Sequence, residues 1–308
     1  MLNISDCGDL EKAQKLWQRH WPQKCLFDLW PVRACFQSQY NHAPHFVVAT
    51  ENAQFRGMLA LSWIDEEQYF GHFPGELWQG KTWLEQNKLL ASDHEVLIAL
   101  LEYVPSEVRI RYLSADAVLA ADPSVSVDEI GYLFYPPQYG YSFQAYILDL
   151  LKARGLSYRY DRIDDVDIMF RLNIENFKEQ SYFVEPRFLR SFENLIAWLH
   201  QNNLLRVTTV LLGGKLAAVD IGAVWNSTYV VLAGATHADF PGVAKLINLH
   251  HIEWSCDRRL SEVDFLCGNF NWKNRFHLTP RPLYKISNPQ VQEVRQNCVC
   301  ERRTVCAA

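Results

Sequence analysis

The chain has 308 residues, room for two ordinary domains; 49% are apolar and 10 are Trp, enough for a sizeable core. Its 30 basic and 35 acidic residues leave a net charge of −5, which excludes nonspecific duplex nucleic-acid binding, since that needs a basic face. No apolar run reaches the ~18–20 residues of a transmembrane helix, because Lys215 and Asp220 interrupt the longest candidate.

In chain order, Met1 to Asp6 lacks the basic and apolar regions of a signal peptide, so the cytoplasm is the expected compartment. Residues 9–21 predict a helix with Leu10, Ala13, Leu16, Trp17 and Trp21 on one face. Residues 26–40 predict a second helix, or two pieces broken at Pro31. His45–Thr50, Phe55–Ile64 and Gln68–Phe73 predict three strands. Helices are expected over Thr82–Ala91 and Asp93–Tyr103, then a strand over Val108–Leu113. Residues 114–130 are small and polar, the composition of an inter-domain connection. The prolines of 131–141 argue against a central strand there. Further helices are expected over Ser142–Arg154, Asp164–Phe177 and Pro186–Asn202.

Three β-branched runs follow: Val207–Leu212, Leu216–Trp225 and Tyr229–Ala235. Gly213-Gly214 and Asn226-Ser227 separate them, pairs that supply the positive φ of tight hairpins. After Pro241-Gly242 the apolar residues Val243, Leu246, Ile247, Leu249, Ile252 and Cys256 take helical spacing. Val263–Leu266 is a further strand, so strand, helix and strand predict a βαβ unit with parallel pairing. A helix starting where a strand ends offers free N–H groups to an anion. A last strand is expected over Arg281–Ile286, and then a polar tail with Cys298, Cys300 and Cys306. That spacing is not the C-x-x-C or Cys/His pattern of a metal clip, so no metal is expected. His250 and His251 point about 100° apart on a helix and cannot share one ion; they are expected at the surface or in packing.

The hairpin Gly214–Ile221, the entry Pro241-Gly242-x-Ala244, and Asp264-x-x-x-Gly268 followed by Trp272-Lys273-x-Arg275 carry a resemblance. They resemble the CelD-like and Fem-type branch of the GNAT (N-acetyltransferase) superfamily over roughly residues 140–286. The resemblance implies an α/β (α+β) fold of tandem GNAT-like domains, each a mixed central sheet flanked by helices. The expected division is 1–130, a degenerate N-terminal domain; 131–288, the acyltransferase domain; and 289–308, a polar flexible tail. One position departs from the family. The acyl-CoA loop of relatives begins with Gln or Arg, and here that place falls on Asp239, an acid that repels a pyrophosphate or caps the helix.

The resemblance implies N-acyl transfer from acyl-CoA or another activated ester to an amine on a small molecule or peptide, by direct attack. No cofactor is permanently bound in this reading; acyl-CoA is the co-substrate. An aminoacyl-tRNA donor fits the family but not the charge. The matching lysine of relatives is assigned charge stabilisation, which makes Lys273 the first catalytic candidate, with Arg275 and Trp272 beside it on the substrate side. Asp220, mid-strand in an apolar run, and His237, at a strand's carboxyl end, are candidate proton acceptors. Asp264 is a third candidate, or it bonds backbone or pairs with Arg275. Gly242, Val243, Ala244 and Lys245 form the candidate phosphate cradle. Tyr139 and Tyr182 are candidate substrate contacts, belonging with Tyr132, Phe134, Tyr135, Tyr141 and Phe183 to an aromatic set that lines a cleft or packs as core. The alternative class is a non-catalytic relative that binds a peptide, a nucleotide or a partner protein.

Overall fold

The computed structural model describes residues 1–120, 122–138, 155–268, 273, 276 and 278–288. The chain divides into two compact units. The first comprises Met1–Gln23, Phe27–Glu129 and the chain from Pro282; the second comprises Lys24–Leu26 and Ile130–Arg281.

The first unit begins with β1 (Leu2–Cys7), followed by α1 (Leu10–His20) and α2 (Trp30–Tyr40). Asp9 caps α1 by accepting from Lys12 N at 2.8 Å. A 3-10 turn, Leu26–Asp28, precedes α2, so the segment is two pieces, as one of the two expectations had it; Pro31 lies in the first turn of α2, where its missing N–H costs nothing. Next come β2 (Ala43–Glu51), β3 (Gln54–Ile64), β4 (Tyr69–His72) and the short β5 (Leu90–Ala91). Then follow α3 (His94–Tyr103), β6 (Val108–Leu113) and α4 (Ala117–Ala120). The sheet order is β1-β2-β3-β4-β6, and the final strand β13 (Thr279–Asn288) adds antiparallel to β6. On one face the core gathers Val47, Leu59, Leu61, Leu97, Leu100 and Ile110; on the other, Ala13, Trp17, Phe46, Met58 and Phe73. Trp17 stacks on Trp21 at 4.0 Å, the aromatic payload foreseen for α1.

Two expectations fail here for local reasons. Residues 82–91 are not helical. The buried Glu76 draws the amides of Trp83 (3.1 Å) and Leu84 (2.8 Å) onto its own Oε1, and Gln86 takes a positive φ. Residues 114–130, expected as an inter-domain connection, include the boundary between the units at Glu129 and Ile130, and they contain α4 and most of β7 (Val125–Phe134). The prolines do not disqualify Gly131–Phe134 as strand, because Pro136 and Pro137 come after its end, in a 3-10 turn.

In the second unit β7 is followed, after the segment 139–154, by β8 (Leu156–Tyr160), α5 (Asp164–Phe177) and α6 (Pro186–Gln201). The helix expected over Ser142–Arg154 lies outside the described residues. Then come β9 (Leu205–Leu212), β10 (Lys215–Trp225), β11 (Thr228–Thr236), α7 (Val243–Asp257) and β12 (Glu262–Asp264). Both turn pairs take the foreseen positive φ: Gly213 56° and Gly214 76°, Asn226 47° and Ser227 61°. The sheet order is β7-β12-β11-β10-β9-β8; β11 and β12 run parallel, as the βαβ pattern requires.

One order of elements occurs twice. β1, α1, α2, β2, β3, β4, α3, β6 matches β8, α5, α6, β9, β10, β11, α7, β12. In both units the first four strands pair antiparallel in a row, and the fourth pairs parallel with the strand after the helix.

Candidate functional site

Parallel strands joined through a helix usually stay paired, but β11 and β12 do not. They pair only at Thr228↔Glu262, Tyr229↔Val263 and Val230↔Asp264; beyond Val230, β11 continues to Thr236 without β12 beside it. A bulge marks the divergence: the partner of β11 shifts from Ile221↔Ala233 to Gly222↔Val231, leaving Leu232 extra. His237 N donates to Ala217 O at 2.8 Å, which fixes the alternation. Ala233 and Ala235 therefore turn their polar groups to β10, and Gly234 and Thr236 turn theirs to the open side. The two exposed carbonyls are taken by α5: Asn173 Nδ2 donates to Gly234 O at 3.1 Å and Asn176 Nδ2 to Thr236 O at 2.8 Å. What the edge offers is its donors, the N–H groups of Gly234 and Thr236.

The open edge ends at the start of α7. Gly242 is the N-cap, at φ 88°, and no side chain caps the helix. Val243 N bonds Phe240 O at 3.2 Å and Lys245 N bonds Gly242 O at 3.1 Å, which leaves the amides of Gly242 and Ala244 for an outside acceptor. A Cβ on Gly242 would meet nothing within 4 Å, so this end faces open space. Asp239 is not the cap. Its side chain is 80% exposed, and its own N–H donates to His237 Nδ1 at 3.2 Å. His237 stands beside it, partly exposed, at the end of β11.

Behind the edge, Asp220 of β10 lies across β11. A Cβ on Gly234 would sit 2.0 Å from Asp220 Oδ1, so glycine is required for the carboxylate to lie there. Asp220 Oδ2 accepts from His251 Nε2 of α7 at 3.0 Å, and His251 is fully buried. His251 is thus a packing residue, one of the two expected placements, and one that also bonds a carboxylate. The same face carries Tyr229, whose ring would clash with any Cβ on Gly222 at 2.3 Å, and Arg206, whose guanidinium lies 3.7 Å from the Trp254 ring centre. Burial raises the Tyr229 phenol, and burial, then His251 and Arg206, pull His250 down to about 3. Sequence reasoning missed His251, Arg206, Asn173 and Asn176. Gly222 and Gly234 inside strand patterns were the available signal, since a strand glycine marks a close approach.

Lys273, the first catalytic candidate, lies close after β12 in the chain. It is 2% exposed, and Nζ donates to Phe265 O (3.0 Å), Leu266 O (2.8 Å) and Cys267 O (3.1 Å), with the Tyr132 ring centre 4.8 Å away. An ammonium is a donor only, and these bonds hold the loop after β12. Asp264 bonds backbone, as one of its expected roles had it: Oδ1 accepts from Leu266 N at 2.9 Å. Arg281 Nη1 also donates to Asp264, 2.7 Å from Oδ2. Arg275, Trp272 and Tyr139 lie outside the described residues. Tyr182 packs its ring 5.0 Å from Phe188, on the side of α6. Among the described residues no group of three or more His, Cys, Asp or Glu could hold a metal ion, and no helix is long and apolar enough to cross a membrane.

In the mixed sheet of the second unit, the parallel pair thus splits over an uncapped helix start, which leaves backbone N–H groups of a strand and of a helix on one open side. Residues 146–274 match the family described as Acetyltransferase (GNAT) domain. FemX is similar in structure, with a TM-score of 0.60 and 9% identity over 95% of this chain and 99% of that one. L-PGS from Bacillus licheniformis matches at 0.53 and 8%, over 98% of each chain. A tandem GNAT protein from the clavulanic acid biosynthesis pathway matches at 0.51 and 12%, over 93% and 98%. The search of curated proteins found no match. The chain has a GNAT/Fem-like fold, and its family match supports acyl transfer as the general chemistry.

Proposed function

We propose that the second unit moves an acyl or aminoacyl group from an activated ester, acyl-CoA first among them, to the amine of a small molecule or peptide. The observation that carries this is the open edge of β11 ending at the uncapped start of α7. An acyl donor with an amide-bearing arm adds to such an edge as a strand would, on the N–H groups of Gly234 and Thr236. Its phosphates meet Gly242 and Ala244, with Lys245 at the rim.

The amine attacks the acyl carbon directly. The carbon–sulfur bond breaks, the thiolate leaves, and the amine proton passes to a protein base. Asp220 is the candidate base that packs against the open edge, with His251 as the positioning residue behind it; His237 sits further along, at the phosphate end. Lys273 acts through the loop it holds rather than on the developing oxyanion. We propose a tandem origin for the two units, on their repeated element order, and a soluble cytoplasmic protein, on its composition.

The test is calorimetry of acetyl-CoA with wild type and Asp220→Asn, followed by turnover with a panel of amines. Binding kept in both and turnover lost in Asp220→Asn supports the reading. Failure of acetyl-CoA and aminoacyl-tRNA alike to bind overturns it. The second reading, a non-catalytic binder, is favoured by one observation: Lys273 and Asp264 are both bonded to groups of the protein itself. It predicts donor binding without turnover in wild type.

A further inference from the structure

The first unit has its own divergence, chemically unlike that of the second. β4 and β6 pair parallel at a single position, Phe70↔Val108, with Phe70 N donating to Glu107 O at 2.8 Å. Beyond it lies a cleft open to solvent, lined among others by Arg33, Tyr69, Glu76, Asn87, Arg109 and Arg111.

Each of four polar groups on this cleft has one end bonded and one end over. Glu76 is 5% exposed; Oε1 accepts from Thr82 Oγ1 and the amides of Trp83 and Leu84, and among the described residues Oε2 accepts from none. Asn87 is 3% exposed; Nδ2 donates to Arg111 O at 2.8 Å and Leu84 O at 3.3 Å, while the buried Oδ1 has no partner among the described residues. Arg109 puts Nε and Nη2 on Glu107 at 2.7 and 2.8 Å, and its guanidinium lies 4.9 Å from the Tyr69 ring centre. Arg111 puts Nε and Nη2 on Asp128, both at 2.9 Å. The Nη1 end of each arginine has no hydrogen-bond partner among the described residues. A buried acceptor left without a donor costs stability unless something fills it.

Charge selects the filler. Arg33, Arg109 and Arg111 face the carboxylates of Glu76, Glu107 and Asp128, so the site is balanced overall. A bare anion meets Glu76, and a bare cation meets the arginines. A ligand with separated charges of both signs satisfies all four open ends. We propose that this cleft binds a small amino-acid zwitterion, with its carboxylate on the Nη1 groups of Arg109 and Arg111 and its ammonium on Glu76 Oε2 and Asn87 Oδ1. The site lies wholly in the first unit and does not depend on acyl transfer in the second.

The experiment is calorimetry of the full chain with L-alanine, L-serine, L-glutamine and L-lysine. For any that binds, its deamino and decarboxy analogues follow. At least one amino acid binds with a Kd of ~1 mM or tighter, and both analogues bind ~10-fold or more weakly, since a bond to a charged group is worth ~1.5–3 kcal/mol. Arg109→Met, at the exposed rim, weakens binding by ~10-fold with the melting temperature unchanged. Glu76→Gln does the same if it folds; if it does not, Arg109→Met decides. Silence from all four amino acids overturns the proposal. So does an analogue that binds as well as its parent, or an Arg109→Met protein that binds as wild type does.

Discussion

Lys273 shows how far a residue's role follows from its motif. The motif marked it as functional, and the structure places its ammonium on three backbone carbonyls in a buried loop. Lys273→Ala leaves three acceptors without a donor, at ~1–3 kcal/mol for each buried group left unsatisfied. Its melting temperature should fall by several degrees, at ~2–4 °C per kcal/mol; thermal unfolding followed by circular dichroism checks this. An unchanged midpoint with lost turnover would restore the direct catalytic role.

Asp239 is the converse case. It does not cap α7 and it is exposed, so its charge acts through water, at ~1 kcal/mol for a unit charge at 4 Å. Asp239→Asn should tighten CoA binding by ~2–5-fold at low salt without altering stability. Titration of both proteins reads this, and weaker binding in the variant would place the phosphates elsewhere. Asp220 was legible because a carboxylate in an apolar run demands a partner. That partner, His251, was not legible, because it lies on another element and sequence spacing along α7 carries no trace of it.

At the scale of elements, the hairpins and α7 were legible because their signals are local: paired positive-φ residues, a Pro-Gly entry, apolar spacing. What escaped was set by tertiary contact. β1 and β8 are short edge strands whose partners are remote in sequence, and residues 82–91 lost their helix to one buried carboxylate. The divergence of β11 from β12 has no sequence signature beyond Gly234. Gly234→Ala would push its Cβ into Asp220, driving the carboxylate off His251. It should destabilise the chain by ~1–3 kcal/mol and abolish turnover; a variant with wild-type stability would show that Asp220 has room to move.

α7 also carries a pH dependence. His250, stacked at 3.9 Å on Tyr158 and 3.1 Å from Tyr160 OH, is held at about 3 against 6.5 for a free side chain. The folded state keeps it neutral while the unfolded state takes up a proton. Its contribution is therefore present above pH 6.5 and is lost progressively as pH falls towards 3. Midpoints measured between pH 7 and 5 should fall less steeply for His250→Gln than for wild type. Parallel slopes would show that His250 reaches solvent.

At the scale of the whole molecule, one sequence of elements is used twice with different contents. In the second unit the split between parallel strands ends at an uncapped helix start and offers N–H donors. In the first, the split is a balanced set of arginines and carboxylates. Backbone order specifies where a ligand can enter, and side chains specify which one. The central claim is that an acyl donor lies along the open edge of β11 with its anionic end on α7. Amide hydrogen exchange, residue by residue, with and without saturating acetyl-CoA, tests it most directly. The account predicts slower exchange at Gly234, Thr236, Gly242 and Ala244 together. Exchange at those four amides unchanged under conditions where acetyl-CoA binds would contradict it.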